Sequence, residues 1–222
     1  MKTIKLDNFE IENIEDCISD IEKMYKFKFE NKELETIRNF EEFCDLIIEK
    51  LNLKNDESCT SQQAFYKLRK SLEKTKISEK EKLNPQTELK KLFPRRNRKT
   101  LIEKIENEMD IKFDIIKAPD FVTIPLLSIG IISFILLFFY WKIAIIGISI
   151  SIFGFYCCKW FGNELKVKTV KDLVEKITEE NYLEVRTNKS TINRIELKSI
   201  LTNWISENSG IRKEKLINAT FE

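Results

Sequence analysis

FVTIPLLSIGIISFILLFFYWKIAIIGISISIFGFYCCKWF, residues 121–161, is an apolar run whose only charged residues are Lys142 and Lys159. As one straight helix it would extend roughly 60 Å, about twice the hydrocarbon core of a bilayer. Two arms of about twenty residues, folded back at Trp141-Lys142, fit that thickness better. Lys142 and Lys159 can then snorkel to the far and near surfaces. A buried hairpin in a soluble protein is the alternative, but such runs are usually shorter and more charged. The run predicts a two-helix transmembrane hairpin.

A hairpin places both of its flanks on the same side of the membrane. Its near flank carries Arg95, Arg96, Arg98 and Lys99, and its far flank carries Lys159, Lys166, Lys168 and Lys171. The connecting turn has only Lys142. Because cytoplasmic loops are enriched in Lys and Arg, we expect two spans in the plasma (inner) membrane, with both termini in the cytoplasm.

The composition outside the apolar run indicates helices and no catalytic apparatus. Only five of the 222 residues are glycine, while Lys, Glu, Ile and Leu are abundant, which favours an all-α fold. The chain has no histidine, which removes Ser-His-Asp and Cys-His nucleophile systems and most zinc sites. None of the five cysteines forms a C-x-x-C pair, and no glycine-rich phosphate loop is present. We therefore expect no enzymatic activity, no metal and no organic cofactor.

Charge is distributed unevenly along the chain. Residues 1–58 hold 9 Lys or Arg against 16 Asp or Glu, a net charge of −7, and residues 59–118 hold 16 against 9, a net charge of +7. The basic part directly precedes the membrane run. Attraction to anionic lipid headgroups, or to the acidic part of the same chain, explains this arrangement most simply.

Apolar periodicity predicts the helices of the remaining chain. They are 14–25 capped by Asn13, 40–51 capped by Asn39, one opening at Thr60, 99–109, one capped by Thr169 with Asp172 at its third position, and 195–208 ended by Ser209-Gly210. Short polar side chains at these first positions are typical N-caps, and glycine is a typical residue after a helix end. The region 179–192 is polar and is predicted to be a loop.

Two segments of the chain repeat the spacing of two others. Ile21, Tyr25, Phe27 and Phe29 keep the spacing of Ile105, Met109, Ile111 and Phe113, and Ile37, Phe40, Phe43, Cys44 and Ile47 keep that of Val167, Val170, Leu173, Val174 and Ile177. A third match pairs the loop at Lys213-Leu216 with that at Lys80-Leu83. Such matches indicate an internal repeat.

The order of helices in each copy resembles the acyl carrier protein family, a small four-helix bundle. LKSILTNWISENSGIRKEKLINATFE, residues 197–222, resembles the first helix and following loop of the family, and residues 14–51 resemble its second helix to its last. The resemblance implies two carrier-like bundles. One is a permuted acidic module, 1–58 completed by 190–222, and the other is a basic module, 59–118 completed by 163–178. The transmembrane hairpin, 121–161, is inserted in the second.

The family attaches phosphopantetheine to a serine in an Asp-Ser-Leu motif at the start of its second helix. The corresponding places here are Glu10-Ile11-Glu12 and the neighbourhood of Pro94-Arg95-Arg96, and neither offers a hydroxyl. The first hypothesis is therefore a non-catalytic integral membrane protein whose carrier-like modules bind other proteins at the membrane. The alternatives are a membrane-tethered regulator whose basic lobe binds nucleic acid, and a carrier with an unrecognised attachment site. Exchange of the C-terminal helix between two copies would give a homo-oligomer.

The basic cluster Arg95, Arg96, Arg98 and Lys99 is the sharpest polar feature of the sequence. It could hold an anion at the start of the following helix, bind lipid headgroups, or contact an acidic protein or nucleic acid. It could also be a solvated surface that fixes membrane topology. We take these four residues as the candidate site for an anion or lipid headgroup.

Overall fold

The computed structural model describes residues 4–77 and 83–221, with the backbone alone at Asn31 and Lys159. The predicted role of the Lys159 side chain and the repeat at Lys80-Lys82 lie outside this description. Helix makes up 64% of the chain and strand 7%, which confirms the all-α class. The helices are α1 (Asn8–Tyr25), α2 (Asn31–Leu34), α3 (Phe40–Leu51), α4 (Thr60–Lys74), α5 (Leu89–Leu92), α6 (Arg98–Met109), α7 (Asp120–Leu136), α8 (Trp141–Phe161), α9 (Val170–Glu180), α10 (Tyr182–Val185), α11 (Arg194–Ser209) and α12 (Lys213–Leu216).

Strands of two residues join distant parts of the chain. They are β1 (Ile4–Lys5), β2 (Lys54–Asn55), β3 (Ile116–Lys117), β4 (Glu164–Leu165), β5 (Thr191–Ile192) and β6 (Ala219–Thr220). β1 pairs with β6 and β2 with β5, both in parallel, while β3 and β4 are antiparallel.

The chain divides into two compact units, Met1–Leu68 with Val174–Glu222, and Arg69–Leu173. The limits fall within α4 and α9. The first unit contains both chain ends, and the second contains α7 and α8. The predicted acidic module had narrower limits, 1–58 with 190–222, and the predicted hairpin was counted separately from the basic module.

The core of the first unit forms where α11 packs against α1 and α3. The apolar stripe of α11 is buried, with Leu197, Leu201 and Ile205 at 0% exposure and Trp204 at 9%. It joins Ile21 and the other buried residues of α1 and α3 in one cluster. Burial of apolar surface is the main stabilising contribution to such a core.

The first helix begins six residues earlier than predicted. Asp7, rather than Asn13, is the N-cap, because its carboxylate accepts the amide of Glu10 at 2.8 Å while the Glu10 carboxylate accepts the amide of Asp7 at 3.0 Å. This reciprocal capping box satisfies amides that have no partner within a helix. The predicted start at residue 14 followed the apolar stripe, and that stripe covers only the buried residues of α1, from Ile14 to Tyr25.

Several of the predicted caps are confirmed. The Asn39 side chain accepts the amide of Glu42 at 2.9 Å at the start of α3. At α9, Thr169 and Asp172 cap each other through hydrogen bonds of 2.9 and 3.2 Å between amide and side chain. Gly210 ends α11 with a φ of 73°, a left-handed conformation that glycine adopts without strain.

The start of α4 is capped from a distance. Thr60 and Ser61 are inside the helix, and their amides donate to the Glu196 carboxylate at distances between 2.8 and 3.2 Å. The predicted local cap is therefore replaced by a charged side chain from α11. A carboxylate at this position also interacts favourably with the helix dipole.

The prediction of a loop over 179–192 is wrong. The segment contains the end of α9, the short helix α10 and the strand β5, and it buries Tyr182, Val185 and Ile192. The apolar residues are too few and too scattered to reveal a helical period. Tyr182 and Ile192 join the core cluster of the first unit, and β5, which contains Ile192, pairs with β2.

In the second unit, α6 supplies the buried residues Ile102, Ile105 and Met109, with Leu89 and Phe93 before it. Two antiparallel helices of the same unit, α7 and α8, lie between β3 and β4 in the chain. Ile116 pairs with Leu165 where the two helices start and end. This short ladder positions the basic residues that follow α8 close to those that precede α6.

Small residues allow α7 and α8 to approach closely. A Cβ added at Gly147 would collide with Ser133 Oγ, and one at Gly154 would collide with the Leu126 side chain. Ser151 Oγ donates to the Leu126 carbonyl oxygen at 2.9 Å. Interhelical contacts of this kind are common where helices associate in lipid.

The lengths of the two apolar helices differ from the expectation of equal arms. The chain turns at residues 137–140, before the predicted Trp141-Lys142 turn, so that α7 has 17 residues and α8 has 21. In the described part of the chain, one helix is long and apolar enough to cross a membrane, through Trp141–Cys158, and α7 is a shorter apolar helix.

Candidate functional site

The basic cluster lies where the chain enters α6. Pro94, Arg95, Arg96 and Asn97 form a turn in which the Asn97 amide donates to the Pro94 carbonyl oxygen at 3.1 Å. Arg98 then begins the helix. The turn separates side chains that are adjacent in sequence, so the four predicted residues do not share one environment.

Arg98 is buried, with 8% exposure. Its Nε donates to the Phe93 carbonyl oxygen at 3.0 Å, and its Nη1 donates to the Asn163 carbonyl oxygen. Burial, and then the neighbouring Arg95, lower the pKa of Arg98 from its ordinary value. Arg98 therefore links the entry of α6 to the residues that follow α8.

Two further hydrogen bonds reinforce this connection. The Lys99 ammonium donates to the Trp160 carbonyl oxygen, near the end of α8. The Asn163 side-chain amide donates to the Arg95 carbonyl oxygen at 2.7 Å. Through its backbone, Arg95 is thus held close to the end of α8, and its exposed side chain is not used in the connection.

A cavity of about 410 Å³ opens beside this connection, and we call it the basic cavity. Its cationic lining residues are Lys90, Arg95, Arg98 and Lys168, its acidic ones are Glu88 and Glu164, and its apolar ones are Leu165 and Val167. Arg96 and Lys99 do not line it. Of the four predicted site residues, the structure brings Arg95 and Arg98 to the cavity and leaves Arg96 and Lys99 on the exposed surface.

Among the cationic lining residues, the sequence-based site lacked Lys90 and Lys168. Lys168 was counted only as a topology signal on the far flank, and Lys90 was given no role. The available signal was that basic residues flank both ends of the apolar run, since a hairpin brings those ends together. The carboxylate of Glu88 contacts the ammonium groups of Lys90 and Lys91 at 3.6 and 3.8 Å.

A second concave surface lies on the first unit, and we call it the acidic groove. It has a volume of about 600 Å³ and is bounded by α1, α2, α3 and Phe221. Its apolar lining residues include Ile11, Ile18, Leu34 and Ile37, and its acidic ones are Glu15, Glu22 and Glu35. Glu22 also stabilises the fold, because its carboxylate accepts the Phe29 amide at 2.8 Å.

The most polar buried cluster of the first unit surrounds Arg186, which has 2% exposure. Its guanidinium donates to Thr60 Oγ1 at 2.6 Å and to Ser58 Oγ at 2.9 Å, and it stacks over the Tyr182 ring. These partners surround the charge and leave it inaccessible to a ligand. Arg186 therefore holds the loop before α4, and sequence analysis gave no indication of it.

Across the residues that the structure describes, no group of three or more Cys, Asp and Glu side chains could hold a metal ion. No protein-family model, curated protein or solved structure matches the chain.

Proposed function

We propose that this protein is a non-catalytic integral membrane protein whose cytoplasmic helical units bind other proteins at the membrane. The observation that carries the proposal is the exposure of α8. Ile143, Ile146 and Phe153 are between 61% and 68% exposed, in a helix whose length suits a bilayer. Water disfavours such a surface, and hydrocarbon does not.

The proposed topology has two spans, formed by α7 and α8, and places both chain ends in the cytoplasm. At about 1.5 Å per residue, α7 extends roughly 26 Å and α8 roughly 32 Å. The shorter α7 suits a bilayer core of about 30 Å if its flanking residues 137–140 enter the membrane. The basic residues that precede α7 and follow α8 agree with a cytoplasmic location of the first unit and of the part of the second unit outside α7 and α8.

The acidic groove supports the protein-binding part of the proposal. An apolar floor with carboxylates around it complements a segment with an apolar face flanked by lysine or arginine, such as a basic amphipathic helix. Glu15 and Glu35 are exposed at its edge. The partner that we propose is a protein presenting a segment of this chemistry.

Site-specific photo-cross-linking in intact membranes tests this proposal. We place the cross-linker at Ser19, which lines the groove, and for comparison at the adjacent exposed Asp20, which does not. We expect Ser19 alone to cross-link to a basic amphipathic segment of another protein, because only its side chain faces the bound partner.

The charge of the groove provides the matched control. Glu15→Gln with Glu35→Gln should reduce the cross-link severalfold, whereas Asp16→Asn with Asp20→Asn, which are exposed on α1 and do not line the groove, should leave it intact. Equal effects of the two double variants, or a cross-link from Ser19 to lipid only, would contradict the proposal.

A further inference from the structure

The basic cavity is positively charged and lies close to the end of α8, and protein binding at the acidic groove explains neither feature. Four cationic side chains and two carboxylates line it, which leaves a net charge of +2. Concave sites of roughly 300–1,000 Å³ are typical of small-ligand binding, and this one has about 410 Å³. Because the positive charges outnumber the negative ones, the cavity suits a small anion.

The cavity lies next to the end of the apolar helix. Glu164 and Leu165 line it, and they follow Phe161, the last residue of α8, within a few positions. The hydrogen bonds of Arg98 and Lys99 to the carbonyl oxygens of Asn163 and Trp160 hold the opposite wall against the same segment. If α8 crosses the bilayer, this cavity is at the depth of the lipid headgroups.

We propose that the basic cavity binds the phosphate group of an anionic lipid. Arg95 and Lys168 supply the charge-assisted hydrogen bonds, since arginine matches phosphate oxygens with two parallel N–H groups. Arg98 contributes its positive charge while its donors hold the fold. Leu165 and Val167 face the apolar part of the lipid next to its phosphate. The proposal depends on the membrane placement of α7 and α8 and is independent of the acidic groove.

The two carboxylates restrict which anions the cavity accepts. Glu88 and Glu164 offset half of the positive charge and repel additional phosphates. A single phosphate with a hydroxyl-bearing headgroup suits them, because a carboxylate accepts hydrogen bonds from hydroxyl groups. A polyanion such as nucleic acid would require an open stripe of cations instead.

Native mass spectrometry of the full chain in detergent tests the proposal. Phosphatidylglycerol, phosphatidylcholine and inorganic phosphate are added separately, and each complex is titrated. We expect phosphatidylglycerol to be retained more tightly than phosphatidylcholine. Inorganic phosphate should bind only weakly, because it lacks the glycerol and acyl parts. If inorganic phosphate binds as tightly as the lipid, the source is free phosphate and the lipid assignment is wrong.

Two adjacent arginines provide a matched pair of variants. Arg95→Gln should weaken phosphatidylglycerol binding by about tenfold, as expected for loss of a hydrogen bond between charged groups. Arg96→Gln removes the same charge one residue away, outside the cavity, and should change binding by about twofold or less. Lys168→Gln, on the other side of the cavity, should reproduce the effect of Arg95→Gln.

Equal losses for Arg95→Gln and Arg96→Gln would show a diffuse surface attraction and overturn the cavity proposal. Binding of a single-stranded oligonucleotide more tightly than lipid would also overturn it. The membrane placement is tested separately by locating a tag at Lys142. If the tag at Lys142 is accessible from the cytoplasm, the proposed two-span topology and the membrane function are wrong. If Arg95→Gln binds phosphatidylglycerol as the original protein does, only the proposed lipid site in the basic cavity is wrong.

Discussion

The helices α8 and α11 are both rich in isoleucine, yet their apolar side chains have opposite environments. In α11 all the apolar residues except Ile195 form one buried stripe, and Leu197, Leu201 and Ile205 are completely buried against α1 and α3. In α8 the apolar residues surround the helix, and Ile152 remains 66% exposed. The comparison shows that the stripe of α11 is buried by its own protein, whereas the apolar surface of α8 is left exposed.

The largest expected effect is a loss of stability when the buried stripe of α11 is disrupted. Trp204→Ala should destabilise the first unit by about 3–5 kcal/mol, because it removes a large side chain from the core that unites α1, α3 and α11. Limited proteolysis of the full chain should then cut residues 4–55 much faster, although Trp204 is distant from them in sequence.

Trp160→Ala, the same substitution at the exposed end of α8, is the control for that experiment. Trp160 is 69% exposed and Trp204 is 9% exposed. The control should leave the protection of residues 4–55 unchanged. If both variants behave like the original protein, α11 does not hold the two chain ends together.

The next prediction addresses the exposed apolar surface of α8. Ile150→Lys, near the middle of α8, should disfavour membrane insertion by about 3 kcal/mol, because a lysine at the centre of a span is costly. Ile195→Lys introduces the same change at an isoleucine of α11 that is 85% exposed, where water solvates the charge. Carbonate extraction of membranes should release only the first variant.

In the unchanged protein, reporters at both termini should be cytoplasmic and a tag at Lys142 should be outside. Opposite locations of the two termini would rule out two spans. Equal membrane retention of the two lysine variants would show that the apolar surface of α8 does not face lipid.

The smallest expected effect is the pH dependence of stability that Glu179, in α9, contributes. Burial, followed by Glu207 and Glu175, raises the pKa of Glu179 to about 7, and Lys213 and Lys176 oppose the shift. A raised carboxyl pKa means that the folded state binds the proton more tightly than the unfolded state. The free energy of unfolding should therefore fall as pH rises from about 4.5 to about 7.

Because Glu179 is half-buried, solvent screening reduces this contribution to about 1 kcal/mol. Chemical denaturation at a series of pH values measures it. Glu179→Gln should flatten the decline, since glutamine does not titrate, whereas Asp20→Asn on the exposed face of α1 should not. A decline that persists unchanged in Glu179→Gln would assign it to other groups.

Local sequence patterns were sufficient for much of the helical framework. The stripe and Gly210 defined α11, and Asn39 defined the start of α3, because periodicity and capping depend on residues within about four positions of one another. The same patterns misplaced the start of α1. The stripe begins at Ile14, but the Asp7-Glu10 capping box extends the helix over six residues, none of which is buried.

The candidate site could be predicted only in part. The sequence identified Arg95 and Arg98, because they belong to a dense basic run. Nothing local indicated that Arg98 would be buried, or that Arg96 would lie outside the cavity. Arg98 is held inside by the carbonyl oxygens of Phe93 and Asn163, and Asn163 directly precedes β4, which pairs with β3.

By itself, the sequence determined that the chain is helical and that residues 121–161 form a long apolar run with only two charged residues, since both properties follow from composition and short-range spacing. Only the tertiary structure decided that Glu196 caps α4, that Arg186 anchors the loop before it, and that Lys168 joins Arg95 at one cavity. Each of these contacts joins residues more than 70 positions apart. Their partners are specified by the packing of the apolar cores, which brings polar groups together without leaving a local pattern in the sequence.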